Sequence, residues 1–327
     1  FAVVFLGILM AGLTKTGYTG TVSLIVAAGL YYAATGALVA VFARRGIRGP
    51  WLAAAVWVFF EGLRGRWPLG GLAWGEIGIA LHDVTVARAL ASFGGVALVT
   101  FVVVAANGLV VDLLVAVRAR ARRPWRLAVL ALVALVATSV VADLTRYEPR
   151  GTGRLRFALL QGDNQVGPSS TQQVADQVLT NAHFALADRL RGRYDLIVFP
   201  ESALDYDPES YPPLRQRIVD LAARHDAVVL VNARYQAPDG HLYNANLAYG
   251  PDGRLLAVYA KQHLVPFGEY VPLRDQLTFI SDLRQIPYDF TAGSRRVLFR
   301  AGGRRFGTVI CYESAYAPLV RDFVRDG

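Results

Sequence analysis

Long unbroken apolar runs fill the first 145 positions, and from Leu155 onward short apolar runs alternate with polar stretches. An apolar helix of about 20 residues is long enough to cross a bilayer. Runs at 21–43, 93–117 and 127–142 meet that length or come close to it, and 51–64 is a shorter candidate that carries Glu61. The run at 1–13 reads as the tail of a further helix. Between crossings, 64–74 is broken by Pro68, Gly70 and Gly71, so it predicts a loop rather than a span. Its Trp67 and Trp74 suit a membrane interface, and Arg64 and Arg66 leave a lipid-headgroup contact open beside the plainer reading of an ordinary loop.

The second half has the periods of a layered α/β domain. A strand over 154–160 runs to a turn at Gly162, and 172–190 is helical. A buried strand over 194–201 stops at Glu201, and a helix follows near 214–224. Strands come next at 227–233, 244–249 and 255–261, with Asp252-Gly253 as a hairpin turn between the last two. A β-rich run over 306–310 ends at Cys311, after which Tyr316, Leu319, Val320 and Phe323 recur at helical spacing. The expected architecture is a multi-helix transmembrane domain over 1–145 followed by an α/β domain over 154–327.

Charge sets the expected orientation. The loops at 44–50 and 118–126 are both rich in arginine and are separated by two predicted crossings, which places both on the cytoplasmic side. One more crossing, 127–142, puts everything after Asp143 outside. The net charge of +9 sits mainly in these clusters beside apolar spans, so it makes no case for nucleic acid. Composition agrees with a membrane part: 54% of residues are hydrophobic and the mean hydropathy is +0.34. One cysteine excludes an internal disulfide framework, and the five histidines, at 82, 183, 225, 241 and 263, have no metal-ligand spacing. The chain begins at Phe1 within an apolar run and ends at Gly327, and it reads as cut at both ends.

Three predicted strands of the second half end in reactive residues: Glu201, Lys261 and Cys311. Ligands of α/β sheets gather outside the carboxyl ends of strands, so one site can hold all three. Each has an ordinary alternative: a surface carboxylate, a solvated cation and an inert buried thiol. Composition counts against the second, because among 34 basic residues only Lys15 and Lys261 are lysine. An ammonium approaches an oxyanion as a point charge where a planar guanidinium fits less well. A thiol at the end of a strand where a helix begins is expected to be favoured as thiolate by the helix N-terminus. A carboxylate base, an ammonium and a thiol together suit nucleophilic attack on a carbonyl.

These residues carry a resemblance. Phe199-Pro200-Glu201-Ser202, Lys261 and Ile310-Cys311-Tyr312-Glu313 look like the Glu-Lys-Cys pattern of the nitrilase, or carbon–nitrogen hydrolase, superfamily. The stretch from Lys261 through Pro266-Phe267-Gly268-Glu269-Tyr270 to Leu273 resembles the signature of the apolipoprotein N-acyltransferases, the membrane-embedded branch of that superfamily. Phe60-Glu61-Gly62-Leu63-Arg64-Gly65 and Leu159-Leu160-Gln161-Gly162-Asp163 resemble stretches of the same branch.

The resemblance implies an αββα nitrilase-like domain whose C-terminal part lies beyond Gly327. It implies Glu201 as general base, Lys261 as oxyanion stabiliser and Cys311 as nucleophile, with Glu269 and Glu313 in support. It further implies a multi-pass enzyme of the bacterial cytoplasmic (inner) membrane with its catalytic domain on the periplasmic side and with no cofactor. Such an enzyme takes an acyl chain from a membrane phospholipid through a cysteine thioester. It passes the chain to the N-terminal amine of diacylglyceryl-cysteine in apolipoproteins. A membrane-tethered amidase or nitrilase with water as acceptor uses the same three residues and stays open at this point. A non-catalytic membrane receptor with a degenerate domain is disfavoured by the presence of all three.

The orientation has a direct check. In intact cells, the Asp239→Cys variant should react with a membrane-impermeant thiol reagent and Arg120→Cys should be shielded; the reverse pattern removes the periplasmic assignment.

Overall fold

The computed structural model describes residues 1–15, 18–120, 122–146, 151, 153–163, 172–204, 206–276 and 288–327. The chain divides into two compact units, Phe1–Arg150 and Gly151–Gly327.

The first unit contains helices α1 (Ala2–Leu9), α2 (Tyr18–Arg44), α3 (Pro50–Arg64), α4 (Thr85–Arg118) and α5 (Arg122–Thr145). Three segments, Gly20–Arg44, Thr85–Arg118 and Arg126–Thr145, are long and apolar enough to cross a membrane. Their large apolar side chains point outward as well as inward: Val26, Leu30, Val111, Leu114, Val133 and Val136 are all exposed. A helix that is apolar all round has lipid, not water, as its natural surroundings. The candidate crossing at 51–64 forms the 15-residue helix α3. At about 1.5 Å per residue it is shorter than a hydrocarbon core of about 30 Å.

The crossing expected over 93–117 belongs to a longer helix, α4, which is broken inside at Gly94 (φ −141°, ψ 17°) and Gly95 (φ 65°, ψ −167°). Gly95 holds a conformation that a side chain would strain, so the break is written into the sequence by the glycine pair.

The loop after α3 is pinned by a buried polar pair. Glu61 accepts from the backbone N–H of Ile77 at 3.0 Å and from Thr100 Oγ1 at 2.9 Å. Arg64 is 1% exposed and donates Nη1 to the carbonyls of Leu72 (3.0 Å) and Trp74 (2.7 Å). The headgroup contact left open for Arg64 is therefore corrected: its guanidinium points into its own loop, where it satisfies carbonyls that have no helical partner. Arg66 is exposed.

The second unit is built on a five-stranded sheet in the order β1 (Phe157–Leu159), β2 (Leu196–Val198), β3 (Val228–Gln236), β4 (Leu242–Tyr249), β5 (Leu255–Ala260). The first three strands are parallel and the last two run antiparallel. Helices α6 (Gln172–Ala187) and α7 (Pro212–His225) connect the parallel strands, as parallel pairing requires. The Asp252-Gly253 turn closes β4 onto β5, with Gly250 and Arg254 joined by a backbone hydrogen bond of 2.9 Å.

Alternation along the strands gives the sheet two apolar faces. On one, Ile197, Val229, Val231, Leu247 and Tyr249 meet Phe184 of α6 and Leu214, Ile218 and Leu221 of α7. On the other, Leu196, Leu230, Ala248 and Tyr259 meet the last thirty residues of the chain, through Phe299, Ile310, Leu319 and Phe323. Those residues form a two-stranded sheet, β6 (Phe299–Ala301) with β7 (Arg304–Phe306), and then α8 (Ala317–Asp326). Gly302 (φ 54°) and Gly303 (φ 71°) make the two-residue turn between them, where both positions need positive φ.

The strand expected over 306–310 ends early, because the polar groups after Phe306 bond elsewhere. Thr308 Oγ1 accepts from Asn246 at 2.7 Å, and the N–H of Ile310 goes to the Glu313 carboxylate at 2.9 Å.

The double-faced core sets one expectation. Ile197 is 0% exposed under the sheet, and Ile197→Ala should cost about 2–5 kcal/mol. That should lower the thermal midpoint of the full-length protein by several degrees; an unchanged midpoint excludes this sheet as the unit's core.

Candidate active site

The three residues singled out at strand ends do come together, although only one directly follows its strand. Lys261 comes immediately after β5, its backbone N–H held by the carbonyl of Asn244 at 2.9 Å. Alternation puts it on the same face as Tyr259, under the C-terminal segment. Its side chain is 1% exposed, with Nζ 2.9 Å from Glu269 Oε2 and 3.6 Å from Glu201 Oε1. Glu201 lies three residues past β2, and the residue after it, Ser202, has φ 56°, which turns the chain sharply.

Glu269 is fixed from three sides: Lys261, the N–H of Val265 (2.8 Å) and Asn244 Nδ2 (2.7 Å).

Cys311 opens a five-residue 3₁₀ turn, Cys311–Ala315, with φ 51° at the cysteine itself. A non-glycine residue in that region is strained by about 1–3 kcal/mol and persists only when its surroundings hold it. Ser314 Oγ donates to the Cys311 carbonyl at 2.9 Å, and Glu313 closes the turn from inside.

The expectation of a helix-favoured thiolate is corrected here. α8 begins six residues later, at Ala317, so no α-helix N-terminus points at the sulfur. Loss of water around the thiol, its hydrogen bond to Glu201 and the Glu201 charge together push the Cys311 thiol up to about 11, against an opposing pull from Lys261. Cys311 rests as a neutral thiol with its proton shared toward a carboxylate.

Glu313 is fully buried and touches neither Lys261 nor Glu201 among the described contacts. It accepts from Tyr259 OH (2.9 Å to each oxygen) and from the backbone N–H groups of Gln262 (2.7 Å), His263 (3.1 Å) and Ile310 (2.9 Å). It therefore ties the segment after Lys261 to the segment before Cys311. Burial and the Glu313 charge push the Tyr259 phenol far up, keeping its proton on the donor side of that bond. His263 lies flat against Tyr316, ring centres 4.1 Å apart and 4° from parallel.

Residues 156–327, more than half of the chain, match the carbon–nitrogen hydrolase family. The chain belongs to that family. Residues 1–109 match the apolipoprotein N-acyltransferase N-terminal domain. An apolipoprotein N-acyltransferase of Methylococcus capsulatus is 35% identical over 273 residues, covering 80% of this chain and 51% of the relative. One of Geobacter metallireducens is 28% identical over 322 residues, covering 94% of this chain and 60% of the relative. One of Pseudomonas syringae pv. tomato is 34% identical over 274 residues, covering 80% and 51%. The chain thus spans about half to three fifths of the length of these curated relatives.

Sequence reasoning passed over three linked buried amides: Asn244, which bonds Glu201 and Glu269, and behind it Asn232 and Asn246. Each is a buried amide on an otherwise apolar strand, and Asn244 and Asn246 share one face of β4. A polar residue at an inward position of such a strand was the available sign, because it must find partners there.

The raised thiol gives a test with opposite signs for two readouts. Removing the Glu201 charge removes the two carboxylate contributions that raise the thiol, so Glu201→Gln should alkylate faster with iodoacetamide at neutral pH than the parent. The alkylation rate of the parent should keep climbing toward pH 11, and that of the variant should level off at lower pH. Slower or unchanged alkylation in Glu201→Gln means that Glu201 does not face the sulfur.

Proposed function

We propose that this chain carries the acyl-transfer site of an apolipoprotein N-acyltransferase, with Cys311 as nucleophile, Glu201 as general base and Lys261 as oxyanion stabiliser. The observation that carries it is a neutral thiol on a strained turn, hydrogen-bonded to a carboxylate that also faces a fully buried ammonium.

In the first half-reaction Cys311 Sγ attacks the ester carbonyl of a membrane phospholipid. A thiol held near 11 does not ionise beforehand at neutral pH, so its proton passes to Glu201 as the S–C bond forms. The ammonium of Lys261 has three hydrogens, and Glu269 and Glu201 occupy two directions around it, leaving one for the developing oxyanion. Collapse of the tetrahedral intermediate breaks the ester C–O bond. Glu201 returns the proton to the departing oxygen, releasing a lysophospholipid and leaving an acyl thioester.

In the second half-reaction the free α-amine of a diacylglyceryl-cysteine attacks the thioester. The amine proton passes by way of Glu201 to the leaving sulfur, which regenerates the thiol and yields an amide. Glu269 holds Lys261 in place, and Glu313 holds the two chain segments on which Lys261 and Cys311 sit. The three apolar helices support a membrane enzyme whose donor and acceptor are both lipids. The arginine-rich loops at 44–50 and 118–126 are what supports a multi-pass protein of the bacterial inner membrane with the catalytic unit on the periplasmic side.

Full-length protein in vesicles of acyl-labelled phospholipid should acquire label at Cys311, and the label should leave when an amine-bearing lipopeptide is added. Cys311→Ser should insert normally and stay unlabelled, because a carboxylate base is poorly matched to an alcohol. Lys261→Arg should lose roughly 10²-fold or more in labelling rate despite its charge, since a fork replaces a point donor at an oxyanion. Equal labelling of Cys311→Ser removes the proposed nucleophile. Loss of label to water as fast as to the amine assigns the site to a hydrolase.

A further inference from the structure

The two carboxylates of the site have a common partner. Asn244 Nδ2 donates to Glu201 Oε1 at 3.0 Å and to Glu269 Oε1 at 2.7 Å. An amide nitrogen has two hydrogens, and both are used. The same residue also accepts the Lys261 backbone N–H on its own carbonyl at 2.9 Å. Asn244 is 8% exposed, so these bonds have little competition from water.

Which end of the Asn244 amide faces the carboxylates is decided further back. The backbone N–H of Ser202 can only donate, and it meets Asn232 Oδ1 at 2.8 Å. Asn232 is therefore oriented with Nδ2 toward Asn244 Oδ1 (2.9 Å) and Asn246 Oδ1 (3.0 Å), with the Ala245 carbonyl at 3.2 Å. Asn244, accepting on Oδ1, must present Nδ2 to Glu201 and Glu269. Asn246, likewise accepting, presents its own Nδ2 to Thr308 Oγ1 at 2.7 Å, three residues before Cys311. One backbone N–H next to Glu201 thus orients three buried amides in sequence.

We propose that Asn244 is a positioning residue for the transfer reaction: with its flip fixed by Asn232, it turns Glu201 so that Oε1 is engaged and Oε2 is left to take the Cys311 proton. The inference rests on the functional reading above, in which Glu201 is the base. Lys261 also faces Oε1, at 3.6 Å, so the two donors nearest Glu201 converge on one oxygen. Asn244 also bridges Glu201 and Glu269, so two carboxylates that share one ammonium have a second common donor between them.

The test uses the full-length protein in labelled-phospholipid vesicles and reads the acylation rate of Cys311 at saturating donor, together with the donor concentration for half-maximal rate. Asn244→Asp keeps the shape of the side chain and replaces two donors by a third carboxylate; Asn244→Ala leaves a gap and no charge. The positioning role predicts the larger loss in Asp, roughly 10²-fold or more, and a smaller loss in Ala, with donor dependence unchanged in both. A packing role alone predicts the reverse order, since Asp fills the space and Ala does not.

Asn232→Asp, which still accepts from Ser202 but no longer donates to Asn244, tests the flip without placing a charge against Glu201; it should slow acylation about tenfold or more. Acylation at the parent rate in folded Asn244→Asp or Asn232→Asp, or a faster rate in Asn244→Asp than in Asn244→Ala, overturns the proposal. Cys311→Ser, run alongside, separates the two readings: label in that variant sinks the functional reading itself, whereas an unlabelled Cys311→Ser with a normal Asn244→Asp sinks only this inference.

Discussion

A single buried ammonium governs the catalytic unit. Removing Lys261 from water costs several kcal/mol unless opposite charge and hydrogen bonds replace the lost hydration. Glu269 supplies the close partner and Glu201 the second. Loss of water around the thiol beside them is the first reason that it stays neutral, and the hydrogen bond and charge of Glu201 come next. Ionising Cys311 would place a negative charge in a dry setting beside the Glu201 carboxylate. Lys261 pulls the other way and is outweighed. The proton therefore stays on the sulfur, beside the Glu201 carboxylate.

Holding a neutral thiol there requires strained backbone. Cys311 and Ser202 both sit at positive φ, 51° and 56°, and neither is glycine. Each strained residue has a partner that leaves it no alternative: Asn232 takes the Ser202 N–H, while Ser314 and Glu313 close the turn at Cys311. Both strained residues lie outside the regular strands, at or beside a residue of the candidate site. Such residues cost stability that the double-faced core must offset, and they mark where geometry has been chosen for chemistry.

What could be read from the residues follows from which forces are local. Apolar run length located α2, α4 and α5, and alternation with turn residues located β3, β4 and β5, because burial acts on every position of such elements alike. Both glycines of the α4 break were visible as well, though their effect on helix continuity was not weighed. The segment after Phe306 was misread as strand: Val309 and Ile310 have strand propensity, but their neighbours' hydrogen bonds go to Asn246 and Glu313, partners distant in sequence. The thiol's state was misread for the same reason. A helix N-terminus can be guessed from periodicity, whereas a carboxylate more than a hundred positions upstream acts only through the fold. Glu201, Lys261 and Cys311 were singled out by type and position; the asparagines packed behind Glu201 were passed over because an amide carries no chemistry of its own.

The two units, built for different solvents, use one device for their irregular segments. Glu61 in the membrane unit takes the Ile77 N–H; Glu269 takes that of Val265; Glu313 takes those of Gln262, His263 and Ile310. Backbone N–H groups in a buried loop have no ladder partner and are costly to leave unmade. A carboxylate answers several of them at once, with stronger, charge-assisted bonds, and a single side chain then fixes a loop that propensity leaves undetermined. The cost is a buried negative charge, which must be balanced by its donors or by a cation. At Glu313 four donors suffice, and the residue is structural. At Glu269 one backbone donor and one amide leave charge over, and Lys261 is drawn in to meet it. The same chemistry that fastens a loop thus also gathers the candidate site, where the donors fall short and an ammonium completes the set.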